Sequence, residues 1–171
     1  MRKRVFFSYS REAESYVEDF APLFRAQAGD PEVHFYGDTP FAAGDLSEEL
    51  RGAISNAAVF VCFLNSSYGT SHACLEEFSI ACDLQVAAGG ITSTERLLVP
   101  IVLDEEGKAF WNKSTELGAP AAWARKLLYS NLTDRRTGMH PAPIRVDAGY
   151  NSPIQRRIED LGRKVRRTMS W

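Results

Sequence analysis

The sequence lacks any apolar run that approaches the length needed to cross a membrane. Its charged start is also not followed by the hydrophobic region of a signal peptide, because the apolar run after Arg4 is broken at once by Ser8, Tyr9, Ser10 and Arg11. We therefore expect a cytoplasmic protein with no membrane partner.

A basic excess is missing as well. The chain has 20 Lys and Arg against 22 Asp and Glu, which gives a formal net charge of -2 at pH 7. Nucleic-acid affinity normally rests on an excess of Lys and Arg that neutralises phosphates. We expect no nucleic-acid partner.

Cysteine is scarce, with only three in the chain. They form an odd set without metal-ligand spacing, and each lies in an apolar pattern: Cys62, Cys74 and Cys82. This arrangement is typical of small buried thiols rather than of a metal site.

The motifs of the common nucleotide and metal cofactors are absent. No G-x-G-x-x-G follows the first apolar run, and the chain has no P-loop and no zinc-deaminase signature. A phosphorylatable receiver domain needs a carboxylate cluster at the end of its first strand, where this chain has Ser8, Tyr9, Ser10 and Arg11. We therefore expect no bound cofactor.

What the sequence does contain is an alternation of strand-like apolar runs and helix-like segments. With 171 residues, of which 44% are hydrophobic, it fits one domain over residues 1–171. The alternation predicts a flavodoxin-like α/β fold, a doubly wound sheet of about five parallel strands flanked by helices. The predicted elements are strands Val5–Tyr9, Val33–Tyr36, Val59–Leu64, Leu97–Leu103 and Lys126–Leu132 and helices Glu12–Ala28, Leu46–Asn56 and Thr70–Val86.

The part after Leu103 has no sustained period and predicts irregular structure with short helices. Pro153 suits the first turn of a last helix, whose basic residues form a solvated face. This helix reaches the chain end without a clear stop signal, as expected of a domain excised from a longer protein.

The segment Val59–Phe78 carries the strongest functional signal. It predicts a buried strand, a polar turn and then a helix that carries Glu77. Ligands of open α/β sheets bind outside the carboxyl ends of the strands, so a carboxylate at the start of this helix, Glu76 or Glu77, is placed where a reacting group could act. Because Glu76 and Glu77 are adjacent, they point to different helix faces; the alternative for either is a solvated helix charge.

Further candidates for substrate binding follow the strands. Ser8, Ser10 and Arg11 follow the first strand, where they can contact phosphate or ribose or can form a helix cap with a solvated arginine. Ser71 is placed to cap the Glu77 helix and also to contact a ligand.

A loop of mixed character, Gly37–Asp45, follows the second strand and can act as a lid. Its Phe41 and Asp45 can touch a ligand or a neighbouring subunit. The alternatives are an aromatic that buries the loop and an N-cap for the next helix.

Three pieces of the chain resemble Toll/interleukin-1 receptor (TIR) domains. The pieces are VFFSYSREA, then HFYGDTPFAAGDLSEELRGAI, then the segment Val59–Phe78. In the third piece the residues that resemble the family pattern S-x-W-C-L-x-E-L are Ser71, Cys74, Leu75, Glu77 and Phe78. Ala73 departs from it, since the family often has tryptophan there. The resemblance implies the TIR fold.

The resemblance also implies a function. Many TIR domains, particularly short prokaryotic ones, hydrolyse or cyclise NAD+, and the glutamate at the position of Glu77 is their catalytic residue. NAD+ is then a substrate and not a cofactor. The family further implies self-association through the Gly37–Asp45 loop, an effector or sensor protein as partner, and a role in prokaryotic immune signalling or antiviral defence.

The chemistry suits a sparse site. Nicotinamide leaves NAD+ as a neutral base without an acid to protonate it, so one carboxylate that stabilises the cationic ribose can suffice. The small Ala73 enlarges or loosens the pocket unless Tyr68 or Trp123 compensates. Two alternatives remain open: a non-enzymatic scaffold that assembles through the loop, and a nucleoside deoxyribosyltransferase-like enzyme.

Overall fold

A sheet of five parallel strands forms the centre of the structure, a computed structural model that describes residues 3–35, 46–90, 93, 95–113, 130–134, 139–144 and 153–171. The strands are β1 (Arg4–Tyr9), β2 (Glu32–Phe35), β3 (Val59–Leu64), β4 (Leu97–Val102) and β5 (Ser130–Asn131). Their order is β2-β1-β3-β4-β5, and every neighbouring pair is parallel. This is the flavodoxin-like order, so the predicted fold class is confirmed.

Helices connect and cover the strands. They are α1 (Glu14–Ala28), α2 (Leu46–Asn56), α3 (His72–Ala87), α4 (Glu105–Asn112) and α5 (Pro153–Thr168). Short 3-10 helices at Arg11–Ala13 and Tyr68–Thr70 precede α1 and α3. The last helix begins at Pro153, as the sequence predicts.

The central strands are buried along their whole length. All six residues of β3 and all six of β4 are buried, which explains why their sequences are continuously apolar rather than alternating. An aromatic cluster joins β1, α1 and β3, with ring centroids 4.9 Å apart between Phe20 and Phe63 and 5.3 Å apart between Phe7 and Phe63. This packing fixes the end of β1 beside the end of β3.

The first helix, α1, begins at Glu14 rather than the predicted Glu12, because residues 11–13 form a 3-10 helix. The third helix begins at His72 rather than Thr70, because residues 68–70 form the 3-10 helix. The segment after Leu103 contains an eight-residue helix, α4, in agreement with the short helices predicted there. Asp104 is the N-cap of this helix. Its side chain accepts a hydrogen bond from Gly107 N at 2.7 Å, which stabilises the first turn of so short a helix.

The fifth strand occupies only Ser130–Asn131 of the predicted Lys126–Leu132, and residues 126–129 lie outside the described part of the chain. Across the described residues, no helix combines the length and the apolar character that a bilayer crossing needs.

Candidate active site at the carboxyl edge of the sheet

Polar side chains meet where β1 and β3 end. Ser8 and Ser10 lie at the end of β1, and Asn65 follows β3 directly. Ser8 and Ser10 are two residues apart on extended backbone and therefore share a face of the sheet. Both are almost fully buried, with exposed fractions of 1% and 4%.

Glu77 reaches the same place from α3. Ser71 begins this helix as its N-cap, and its hydroxyl accepts a hydrogen bond from Cys74 N at 3.3 Å. Glu77 is buried with an exposed fraction of 6%, whereas its neighbour Glu76 is only half-buried. Of the two adjacent carboxylates, the one that the family pattern selects is therefore the one that faces the strand ends.

The Glu77 carboxyl is the end of a hydrogen-bonded chain of three side chains. Ser8 Oγ donates to Glu77 Oε2 at 2.5 Å, and the Tyr68 hydroxyl lies 2.7 Å from Ser8 Oγ. Among the described residues, no group hydrogen-bonds to Glu77 Oε1. One carboxyl oxygen is thus held by the protein, while the other has no partner in the described part of the chain.

The environment of Glu77 favours its neutral form. Burial raises the pKa of Glu77 to about 7; the hydrogen bond from Ser8 opposes this rise, and the nearby charge of Glu76 adds to it. Burial also raises the pKa of Tyr68 well above its usual value, so its hydroxyl keeps its proton at neutral pH. A carboxyl with a pKa near 7 exists in both protonation states under ordinary conditions.

A second group of bonds fixes the turn between β3 and α3. Asn65 Oδ1 accepts bonds from Ser10 Oγ at 2.9 Å and from Tyr68 N at 3.0 Å. Since a backbone N–H can only donate, this bond defines which end of the Asn65 amide faces the turn. Asp104 Oδ2 accepts a bond from Ser66 N at 2.8 Å and so ties the same turn to α4.

Of the remaining predicted substrate contacts, the structure describes Arg11 and Ser71. Arg11 lies exposed in the 3-10 helix after β1, and Ser71 acts as the helix cap. Phe41, Asp45 and the rest of the Gly37–Asp45 loop lie outside the described residues. Substrate roles for all of these residues stay predictions.

The aromatic platform that Ala73 lacks is not supplied by Tyr68. Ala73 is exposed in the first turn of α3, and Tyr68 is completely buried with its ring packed edge-on against Phe110 at 5.5 Å. Tyr68 therefore presents no ring face to a ligand. Trp123, the other residue suggested for this purpose, lies outside the described residues.

In the described part of the chain, no group of His, Cys, Asp and Glu side chains is arranged to hold a metal ion. Cys62, Cys74 and Cys82 are free and buried, as their apolar sequence context predicts.

Sequence reasoning missed Asn65 as a site residue and the Tyr68 hydroxyl as a partner of Ser8. Asn65 follows a buried strand directly, so the strand-end rule that selects Ser8 could also have selected it. No comparable signal exists for Tyr68, because it lies 60 positions away from Ser8 in the chain.

Comparison with known proteins agrees with the fold. The family model of the TIR domain matches residues 5–140. Among solved structures, the chain is similar to the TIR domains of the activated Roq1 resistosome, which directly recognises the pathogen effector XopQ; the TM-score is 0.59, and the match covers 95% of this chain and 99% of that chain. The sequence identity is 17%, so this likeness shows the fold alone. No curated protein matches the chain. Because the family model spans most of its length, the chain belongs to the TIR-domain family.

Proposed function

We propose that this TIR domain cleaves NAD+ at the bond between nicotinamide and ribose C1′. The observation that carries the proposal is the placement of Glu77, a buried carboxylate at the carboxyl edge of a parallel sheet with one oxygen held by Ser8. The products are nicotinamide and either ADP-ribose or a cyclic isomer. The activity known in other members of the family supports the same assignment.

The reaction needs little from the protein. The bond from C1′ to nicotinamide breaks, and its electron pair leaves with nicotinamide, which becomes neutral. Positive charge develops on the ribose, where the Glu77 carboxylate stabilises it. Water then adds to C1′ and loses a proton, or a nucleophile of the adenosine half attacks C1′ and closes a ring.

Burial of Glu77 serves this chemistry in two ways. A carboxylate in a water-poor site attracts a cationic ribose more strongly than one in water does. In the hydrolytic route, a carboxylate with a pKa of about 7 can also accept the proton that the attacking water releases.

The test is Glu77→Gln, which keeps the size of the side chain and removes its charge. We expect nicotinamide release by concentrated protein to fall on the order of 100-fold or more, since the charge that stabilises the ribosyl cation is lost. Glu76→Gln is the matched control, because this neighbour lies on a different helix face and is only half-buried. Equal release by wild type and Glu77→Gln would refute the assignment.

The proposal includes assembly. By family resemblance, the Gly37–Asp45 loop completes the site between subunits of a cytoplasmic protein, and an upstream sensor or effector controls this step in immune signalling. Nicotinamide release per molecule then rises with protein concentration. Measurement over a concentration series tests the assembly separately from the chemistry.

A scaffold is the second candidate, and one observation favours it. Ser8, which is itself bonded to Tyr68, already holds one oxygen of the Glu77 carboxyl, and the family's tryptophan is replaced by the small Ala73. The discriminating measurement is thermal stability with NAD+ at protein concentrations where self-association is seen. Self-association without any stabilisation by NAD+ would favour the scaffold over the enzyme.

A further inference from the structure

The hydrogen-bonded chain from Tyr68 through Ser8 to Glu77 carries an inference of its own. Its three polar groups come from different parts of the fold: Ser8 from β1, Tyr68 from the 3-10 helix after β3, and Glu77 from α3. We infer that Tyr68 and Ser8 form a directed hydroxyl relay that positions the Glu77 carboxylate with one oxygen held and the other presented to substrate. The inference deepens the proposed function and rests on it for its catalytic meaning.

The direction of the relay follows from the donors available. An ionised carboxylate only accepts hydrogen bonds, so Ser8 must give its single proton to Glu77. Ser8 Oγ can then only accept from Tyr68, whose hydroxyl lies within hydrogen-bond distance. Both hydroxyl protons are therefore committed while Glu77 is charged.

Burial makes the relay difficult for water to replace. The exposed fractions of Ser8 and Tyr68 are 1% and 0%. Tyr68 is also fixed at both ends, since its backbone N–H donates to Asn65 Oδ1 and its ring packs against Phe110. A hydroxyl held in this way orients its partner without the entropy cost of ordering a flexible group.

Ser8 and Tyr68 are thus positioning residues rather than substrate contacts. From the sequence, Ser8 is a candidate for contact with phosphate or ribose, but in the structure its oxygen already has two partners within the protein. Ser10 donates its one hydroxyl proton to Asn65, so it can only accept a further hydrogen bond.

The other titratable groups around the relay come from α3, β3 and the 3-10 helix after β1. Glu76 and Cys74 share α3 with Glu77, and Cys62 of β3 and Glu12 beyond β1 complete the inner group. β4 contributes no titratable group, and the charged side chains of α2 and α4 are exposed on the surface: Glu48, Glu49, Arg51, Glu105, Glu106 and Lys108. Removing a relay hydroxyl leaves all these charges unchanged.

The experiment follows the ionisation of Glu77 directly, by carboxyl ¹³C NMR on protein without NAD+. Glu77→Gln assigns the signal. In Ser8→Ala the carboxylate loses its donor, and its pKa moves up by about one pH unit, a tenfold change in the ratio of the ionised to the neutral form. Tyr68→Phe keeps the ring and gives a smaller rise in the same direction, because Ser8 still donates.

Two controls match these changes. Tyr16→Phe removes another buried tyrosine hydroxyl, one that has no hydrogen-bond partner among the described residues. Ser10→Ala removes a serine hydroxyl that binds Asn65 and not Glu77. In both controls Glu77 titrates as in the wild type.

The outcomes separate the relay from the proposed function. An unchanged Glu77 titration in folded Ser8→Ala and Tyr68→Phe overturns the relay, even if the wild type releases nicotinamide. A raised titration in these variants upholds it, even if no nicotinamide is released and NAD+ cleavage is disproved. With an active enzyme, the pH profile of kcat in Tyr68→Phe moves to higher pH while KM stays the same.

Discussion

At the scale of single residues, Glu77 is subject to opposed influences. Burial favours its neutral form and is the dominant cause of its raised pKa, while the hydrogen bond from Ser8 favours the charged form. The Glu77 carboxyl is therefore about half ionised near pH 7. A group that is always ionised or always neutral at this pH would be a poorer general acid or base.

This balance predicts how stability depends on pH. The unfolded carboxyl titrates near 4.5 and the folded one near 7, so between these values the folded state binds more protons than the unfolded state. The contribution of Glu77 to stability is therefore fully present below pH 4.5 and is lost as pH rises through 7. Over ~2.5 pH units this amounts to about 3 kcal/mol.

Glu77→Gln removes that dependence, because glutamine does not titrate. We expect the difference in Tm between Glu77→Gln and wild type to grow in favour of the variant from pH 5 to pH 8, as measured by scanning calorimetry. Parallel Tm curves for the two proteins would show that Glu77 titrates alike in the folded and unfolded states.

How far sequence predicts the site depends on the range of the interaction. The inward placement of Glu77 follows from its helix and from the strand before it, which are local features. The bond between Ser8 and Tyr68 joins residues 60 positions apart and depends on how α3 and its preceding turn lie against β1. No local pattern carries that information, so the partners that set the pKa of Glu77 emerge only from the fold.

At the scale of elements, α4 packs against the turn after β3 and against Tyr68, and so helps to fix the position of the site. Asp104 caps it and holds the turn after β3, while Phe110 packs against both Tyr68 and Phe78. Gly107 allows this arrangement, because a Cβ there would lie 1.9 Å from Leu64 O. The helix and the end of β3 are in direct backbone contact.

Gly107→Ala is expected to destabilise the protein by about 3 kcal/mol, since α4 must move away from β3 to make room for the methyl group. Chemical denaturation measures the loss. Gly52→Ala in α2 is the matched control: nothing lies within 4 Å of its added Cβ, and it should stabilise the helix by about 0.5–1 kcal/mol. If both substitutions had the same effect, the contact at Gly107 would not constrain α4.

Element prediction from sequence succeeds where a segment is long and periodic or continuously apolar, as in β3, β4 and α1. For the segment after Leu103 it predicts short helices but not their bounds, because the eight residues of α4 span too few turns to show a period and include Gly107. It also shifts the start of α3, because the 3-10 turn at Tyr68–Thr70 continues directly into the helix cap.

At the scale of the whole molecule, the two ends of the sheet have different roles. Hydroxyls, an amide and Glu77 lie at the carboxyl end. At the amino ends of β3 and β4, Arg96 and Gln85 form a set of hydrogen bonds that we call the clamp. Arg96 donates hydrogen bonds to three carbonyls in the last turn of α2 and directly after it. These are the carbonyls of Ile54 at 3.4 Å, of Ala57 at 3.2 Å and of Ser55. Gln85 of α3 in turn donates to Arg96 O at 3.1 Å.

This division predicts that stability and chemistry can be changed separately. Arg96→Met keeps much of the length of the side chain but leaves the last carbonyls of α2 without their donor, so we expect a loss of about 2 kcal/mol and a fall of several degrees in Tm. The Glu77 titration and nicotinamide release at low temperature should match the wild type, because the clamp lies at the opposite end of the strands. A shifted Glu77 titration in folded Arg96→Met would mean that the clamp and the active site are coupled through the sheet.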